Sequence, residues 1–420
     1  MEPKMRFNGF QGEWEDQTFN ETFDFLKNNS LSRDNLSTEG SVMNIHYGDI
    51  LIKFGECIDV IKDEIPYVKD ESVAKSLMKA GTLHNGDVII ADAAEDNTVG
   101  KCAELVTHDG ETVVSGLHTI AIRPKQKFAI RYLGYYMNSS AYHNQLLPHI
   151  QGTKISSISK KAVSSTHIDF PVDIPEQRAL ATFFTSLDRQ ISGAEGRLAS
   201  LKQVKAASLQ AMFPQNGETT PKLRFKGCTG EWNKVKLGEC GTFSKGKGYS
   251  KADISAEGTP IILYGSMYTN YSTLIKNIDT YAQIREGAVL SKGGEIIIPA
   301  SGETPEDIAI ASVVEKRGAL LGGDLNIITL KEDYDAVFIA LCITYSSTHF
   351  ELSKYAQGKS VVHLHNSEIS QSSVMCAPSF SEQRQIAAYF TSLDRQISAQ
   401  SAQITKLKQI KAACLDQMFV

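Results

Sequence analysis

FTSLDRQIS runs from Phe184 to Ser192, and the same nine residues run again from Phe390 to Ser398, 206 positions later. Nothing else in the chain constrains the architecture as strongly, because a repeat of this kind means the fold is built from copies. The match extends outward at the same offset. Glu176-Gln-Arg has its counterpart at Glu382, LKQVKAASLQAMF from Leu201 matches LKQIKAACLDQMF from Leu407, and Gln151-Gly152 matches Gln357-Gly358. A second match links PKMRFNGFQGEW from Pro3 with PKLRFKGCTGEW from Pro221, now 218 positions apart. The stretches between the matched ends therefore differ in length and in most of their residues. A solenoid would repeat throughout, so this is a duplication of one large unit.

The repeated segments read as long helices. No proline falls between Gln177 and Phe213, and Leu180, Phe184, Leu187, Ile191, Ala194, Leu198 and Leu201 alternate steps of four and three, the spacing of a coiled-coil seam. Ile386, Phe390, Leu393, Ile397, Ile404 and Leu407 repeat it. A helix of ~36 residues spans ~54 Å. Gly193 and Gly196 each weaken the first copy by roughly 1 kcal/mol relative to alanine, so packing must compensate. The simplest partner for each helix is the other, giving an antiparallel pair with pseudo-twofold symmetry.

Upstream of each helix lies a variable module. In the first, Ile50–Phe54, Val88–Ala91, Val113-Val114 and Thr119–Ile122 read as short strands, and the segment from Arg131 as a short amphipathic helix with an aromatic face. In the second, GGEIIIPASGE from Gly293 corresponds to NGDVIIADAAE from Asn85, and LNIITLK from Leu325 to LHTIAIRPK from Leu117. The expected class is α+β. The expected division is a first head over 1–172, a helix over 173–213, a linker over 214–222, a second head over 223–378 and a helix over 379–420.

Composition excludes several functions. The 420 residues are 42% hydrophobic, and no run of 18 apolar residues is present, which leaves no span for a membrane helix. The charged start MEPKMRFNGFQGEWED is unlike a signal peptide. Seven scattered cysteines with no C-x-x-C pair suit a reducing cytoplasm, not a disulfide frame or zinc site. A net charge of −5 argues against a generic nucleic-acid coat; DNA binding here requires local basic surfaces or charge from a partner.

Catalytic motifs are missing. Gly358-Lys359-Ser360 has the tail of a phosphate loop, but Ser353 stands where its first glycine belongs. SKGKGYSK from Ser244 carries Lys251 in place of a third dinucleotide-binding glycine. His363-x-His365 is a weak metal pattern beside its plainer reading as a polar loop. There is no Asn-Pro-Pro-aromatic motif. Asp92, Glu95 and Asp96, and Glu303, Glu306 and Asp307 in the second module, read as loop carboxylates able to accept from cytosine amino groups. No cofactor is expected on this chain.

Two variable modules, each followed by a near-identical helix, the P-K-x-R-F-x-G-x-x-G-E-W start and the E-Q-R…F-x-x-L-D-x-x-I helix opening together resemble the specificity subunit of Type I restriction–modification systems. The resemblance covers essentially the whole chain. It implies that each module is a target-recognition domain reading one half of a split, asymmetric DNA site, and that this chain is not itself an enzyme. The helices would separate the heads and dock two modification subunits, with restriction motor-nuclease subunits completing the complex. S-adenosylmethionine, ATP and magnesium would belong to those partners. A competing expectation is a non-catalytic scaffold that binds proteins through its duplicated heads.

Polar loop residues are the candidate readers of DNA. In the first half these are Asn29, Ser32, Arg33, His46, Tyr47, Lys53, Lys154 and Lys160; in the second, Lys245, Lys247, Tyr249, Lys251, Lys359 and Asn366. The helix residues Phe184, Leu187, Ile191, Phe390, Leu393 and Ile397 are core or partner surface; the pattern does not separate the two.

Overall fold

The computed structural model of the chain describes residues 2–108, 110–215, 217–358 and 361–420. The chain divides into two compact units, one holding the residues up to Ala194 together with Gln403–Val420, the other Glu195–Ala402. The long helices are Ile174–Met212 and Phe380–Gln417. Each of them gives residues to both units.

Unit one is built on a five-stranded sheet in the order Phe23–Phe25, Thr119–Pro124, Val88–Ala91, Cys102–Val106, Cys57–Asp59. Its first three joins are antiparallel and the last is parallel. Unit two has the same order from Gly241–Lys245, Leu325–Leu330, Glu295–Pro299, Ser312–Val314 and Leu274–Ile275, with the same senses of pairing. Each unit adds a four-stranded group. In unit one it is Val113–Ser115, Met43–Ile45, Tyr67–Val68 and Leu36–Ser37; in unit two, Leu320–Leu321, Thr259–Ile262, Tyr281–Ala282 and Ile254–Ser255. The heads thus share a topology that their residues hardly reveal. The central strands are buried on both faces, so they read as continuous apolar runs rather than alternating ones.

Three local expectations change. Ile50–Phe54 is not a strand: Tyr47–Ile52 is a helix, capped by the His46 ring, which accepts from the Gly48 N–H. A three-residue apolar run fits either period, and the cap decides it. The segment from Arg131 forms two helices, Tyr132–Tyr136 and Ser140–Leu146, and the first is buried on every side. Its aromatic residues belong to the core, not to one amphipathic face. Finally, strand pairing aligns Thr119 with Leu325, since Ile120 opposes Ile90 and Asn326 opposes Ile298. The structural alignment of these strands is therefore two residues away from the one that pairs Leu117 with Leu325.

The repeated motifs are clamps. Arg6 donates to both oxygens of Glu176 at 2.7 and 2.8 Å and to the Gly12 carbonyl at 2.6 Å. Arg224 repeats this on Glu382, at 2.8 and 2.6 Å, and on Gly230 at 2.6 Å. The positive φ of Gly12 and Gly230 turns the chain between each arginine and its tryptophan.

In unit one, the helix residues before Ala194 pack antiparallel on Gln403–Val420: Phe184 stacks on Phe419 at 5.6 Å, and Lys411 reaches Asp188 at 2.6 Å. Phe419 also meets Trp14, Tyr132 and Tyr136. In unit two, Phe390 meets Phe213 at 5.9 Å and Lys205 reaches Asp394 at 2.5 Å, again antiparallel, with Phe213 against Trp232 and Phe338. These are the same contacts with the copies exchanged. The seam residues Phe184, Leu187, Ile191, Phe390 and Leu393 are buried and Ile397 is half-buried, covered by this chain. Among the described residues no helix is long and apolar enough to cross a membrane.

Candidate nucleic-acid interface

One polar face of unit one gathers most of the first-half candidates. The helix cap His46 packs its ring, tilted, against Tyr47 at 4.6 Å, and Tyr47 meets the edge of His118 at 5.2 Å. Burial, then the neighbouring Arg33 cation, lowers the pKa of His46, which keeps its ring neutral to accept from the Gly48 N–H at 3.2 Å. Arg33 bonds Asp49 at 3.0 Å, with its side chain 56% exposed. His118 Nδ1 sits 3.1 Å from Asp92 Oδ1. Burial raises the Asp92 pKa, against the pull of His118. Asn28, Asn29, Asp92 and His118 line a cleft of about 460 Å³. Lys160 donates to the Leu26 carbonyl at 3.4 Å and lies over the Phe25 ring.

Not every candidate presents a free group there. Asn29 is a loop brace: its amide donates to Asn44 and to the Ser115 carbonyl, and its oxygen accepts from Leu31. Ser32 accepts from Asn35. Lys53 donates to the Glu64 carbonyl and clamps that loop. Lys154 is exposed on a tight hairpin closed by Gln151 and Ser157. Gly152 makes that hairpin, since a Cβ there would lie 1.9 Å from the Ile155 carbonyl oxygen.

Unit two presents the corresponding face. Lys245, Lys247 and Lys251 are exposed. Tyr249 is buried; its hydroxyl donates to the Gln283 carbonyl at 3.2 Å and accepts from the Arg285 N–H at 2.9 Å, so it supports the loop that carries the lysines. Asn366 donates to the Ser244 carbonyl at 2.9 Å. Lys359 lies outside the described residues.

The two faces superimpose by their bonds. Asn29 and Lys247 occupy one position, their N–H groups donating to Ser115 and Leu321. Lys160 and Asn366 occupy another, donating to Leu26 and Ser244. Asp92 and Ala300 occupy a third, their N–H groups donating to the carbonyls of His118 and Asp324. The backbone is kept and the side-chain chemistry differs at each. Sequence reasoning named neither His118 nor Asp324. The signal was present, as each ends a turn that begins with a glycine, Gly116 or Gly322, at the 206 offset.

A family model, the Type I restriction modification DNA specificity domain, matches residues 12–203 and again 229–409. The chain belongs to this specificity family. Its fold is that of the Type I restriction–modification S subunit from M. genitalium, at 14% identity, with 100% of this chain and 99% of that one covered and a TM-score of 0.63. A second chain of the same fold comes from a structure concerned with complex assembly and conformational transition of the type I R-M system: 17% identity, 97% and 98% covered, TM-score 0.52. No curated protein matches. The two matched spans of the specificity family each contain one head and most of its long helix. Among the described residues no group of three or more His, Cys, Asp or Glu could hold a metal ion.

Proposed function

We propose that this chain is the DNA-reading subunit of a Type I restriction–modification complex, with each head reading one half of a bipartite, asymmetric duplex site and no active site of its own. The carrying observation is the contrast between faces. On the heads, equivalent positions hold different chemistry: Asn29 against Lys247, Lys160 against Asn366, Asp92 against Ala300. Different hydrogen-bonding groups on one scaffold select different bases. Within the nine-residue repeat of the long helices, even the exposed residues are identical copies: Ser186 and Ser392, Arg189 and Arg395, Gln190 and Gln396. Packing does not require identity at exposed positions, whereas two equal partners do. The helices therefore dock two modification subunits, and restriction subunits join that assembly in the cytoplasm. S-adenosylmethionine, ATP and magnesium act on those partners. A chain with net charge −5 grips DNA with their help, because phosphate contacts need cations.

The test is to assemble the chain with its modification subunits, methylate random-sequence DNA and map the modified sites. A single split motif with unlike halves is the expected result. Methylation or binding indifferent to sequence would overturn the reading and favour a protein-binding scaffold.

A further inference from the structure

Three non-glycine residues among those described have positive φ: His118 at 53°, Arg131 at 76° and Asp324 at 55°. Arg131 is accounted for inside the fold, since its N–H donates to Glu104 and its guanidinium to Asp59. His118 and Asp324 are different. They are equivalent positions of the two heads, 206 apart, and each immediately precedes a central strand.

Their backbones are locked in the same way. The His118 carbonyl accepts from Asp92 N at 3.1 Å, and the Asp324 carbonyl from Ala300 N at 2.7 Å. Two residues earlier, Gly116 N donates to Ile45 and Gly322 N to Ile262. A Cβ on Gly116 would lie 2.6 Å from the Ile45 oxygen, and one on Gly322 2.5 Å from the Leu263 side chain, so each turn is packed tight. The side chains nevertheless face outward: His118 is 52% exposed, and Asp324 is exposed with no side-chain partner among the described residues. A fixed backbone carrying a short outward polar group is a preorganised contact. Histidine and aspartate tolerate the left-handed region better than most residues. Backbone strain of this kind, repeated where the side chain stands outside the core, points to a function.

We propose, building on the DNA-reading function above, that positions 118 and 324 are the paired base-reading positions of the two heads. Asp324, an acceptor only, takes an amino hydrogen from a cytosine or adenine edge in one half-site. The His118 ring reads the equivalent base pair of the other half-site through Nε2. Asp92 orients that ring through Nδ1 at 3.1 Å, as a carboxylate does for an imidazole. Asp324 needs no orienting group, and Ala300 stands where Asp92 would be.

The experiment selects bound sequences from a random duplex library with the complete complex carrying Asp324→Asn, then His118→Asn. Asparagine keeps the left-handed turn, and thermal melting verifies that each variant is folded. Asp324→Asn is expected to change the preference at one base pair of one half-site by roughly five- to 150-fold, the range that one good base-edge contact gives. His118→Asn should do the same in the other half-site only. Motifs identical to the wild type, or one variant altering both half-sites, would overturn the assignment. A wild-type complex that selects no motif at all would instead sink the DNA-reading function itself.

Discussion

Arg224 is 14% exposed and the Glu382 it clamps is 1% exposed. Removing one member of such a pair strands the other charge, which typically costs about 3–5 kcal/mol, whereas replacing both with apolar groups is often neutral. Urea denaturation should therefore show Arg224→Met losing at least ~3 kcal/mol, with most of the loss recovered in the Arg224→Met, Glu382→Leu double variant. Glu104 tests a different balance. It is fully buried, and burial pushes its pKa from 4.5 up to about 7, against the N–H groups of Gly134 and Arg131 that favour the carboxylate. The folded state thus holds the proton more tightly than the unfolded chain. The stabilisation is complete below pH ~4.5 and is lost as the pH rises through ~7, on the order of 3 kcal/mol in all. The melting temperature of unit one should fall from about pH 4.5 to about pH 7 and level off above it, and Glu104→Gln should flatten that slope. Arg224 and Glu382 stand in the repeated motifs, but their pairing is not recognisable from sequence, and neither is the burial of Glu104. Glu104 looks like any strand carboxylate until Cys102–Val106 proves buried along its whole length.

The long helices were the most legible elements, because a seam spaced by fours and threes has one physical meaning. The structure adds why their glycines are tolerated. A Cβ on Gly193 or Gly196 would meet nothing within 4 Å, and the helix runs through both. Gly193→Ala and Gly196→Ala should each raise stability by about 0.5–1 kcal/mol, read from the urea midpoint. The heads were legible only in part. Val88–Ala91 and Thr119–Pro124 follow from apolar, β-branched runs. Tyr47–Ile52 does not, because its helical state depends on a histidine cap. The candidate interface was harder still. His46 and Tyr47 are adjacent in sequence, but Arg33 comes from another segment; Asp92 and His118 line one cleft from the ends of separate strands, and no local pattern encodes that meeting.

At the scale of the whole molecule, each unit is completed by residues distant in the chain. Phe419 belongs to the core of unit one, and Phe213 to that of unit two. Truncating a buried aromatic to alanine costs about 3–5 kcal/mol. Hydrogen exchange should show Phe419→Ala deprotecting the residues before Ala194 and sparing Glu195–Ala402, with Phe213→Ala giving the reverse. Which copy of the repeat packs where was not readable, since LKQVKAASLQAMF and LKQIKAACLDQMF carry the same apolar pattern and suit either head equally. That arrangement has an outcome during synthesis. The first head leaves the ribosome early, but its core lacks Phe419 until all of Glu195–Ala402 has been translated. At ~5–20 residues per second, that wait is roughly 10–40 s. A chain stopped by a premature codon after Ala402 keeps a complete second unit and an unfinished first one. Proteases and chaperones would meet that nascent defect in the first head, although the genetic lesion lies far downstream of it.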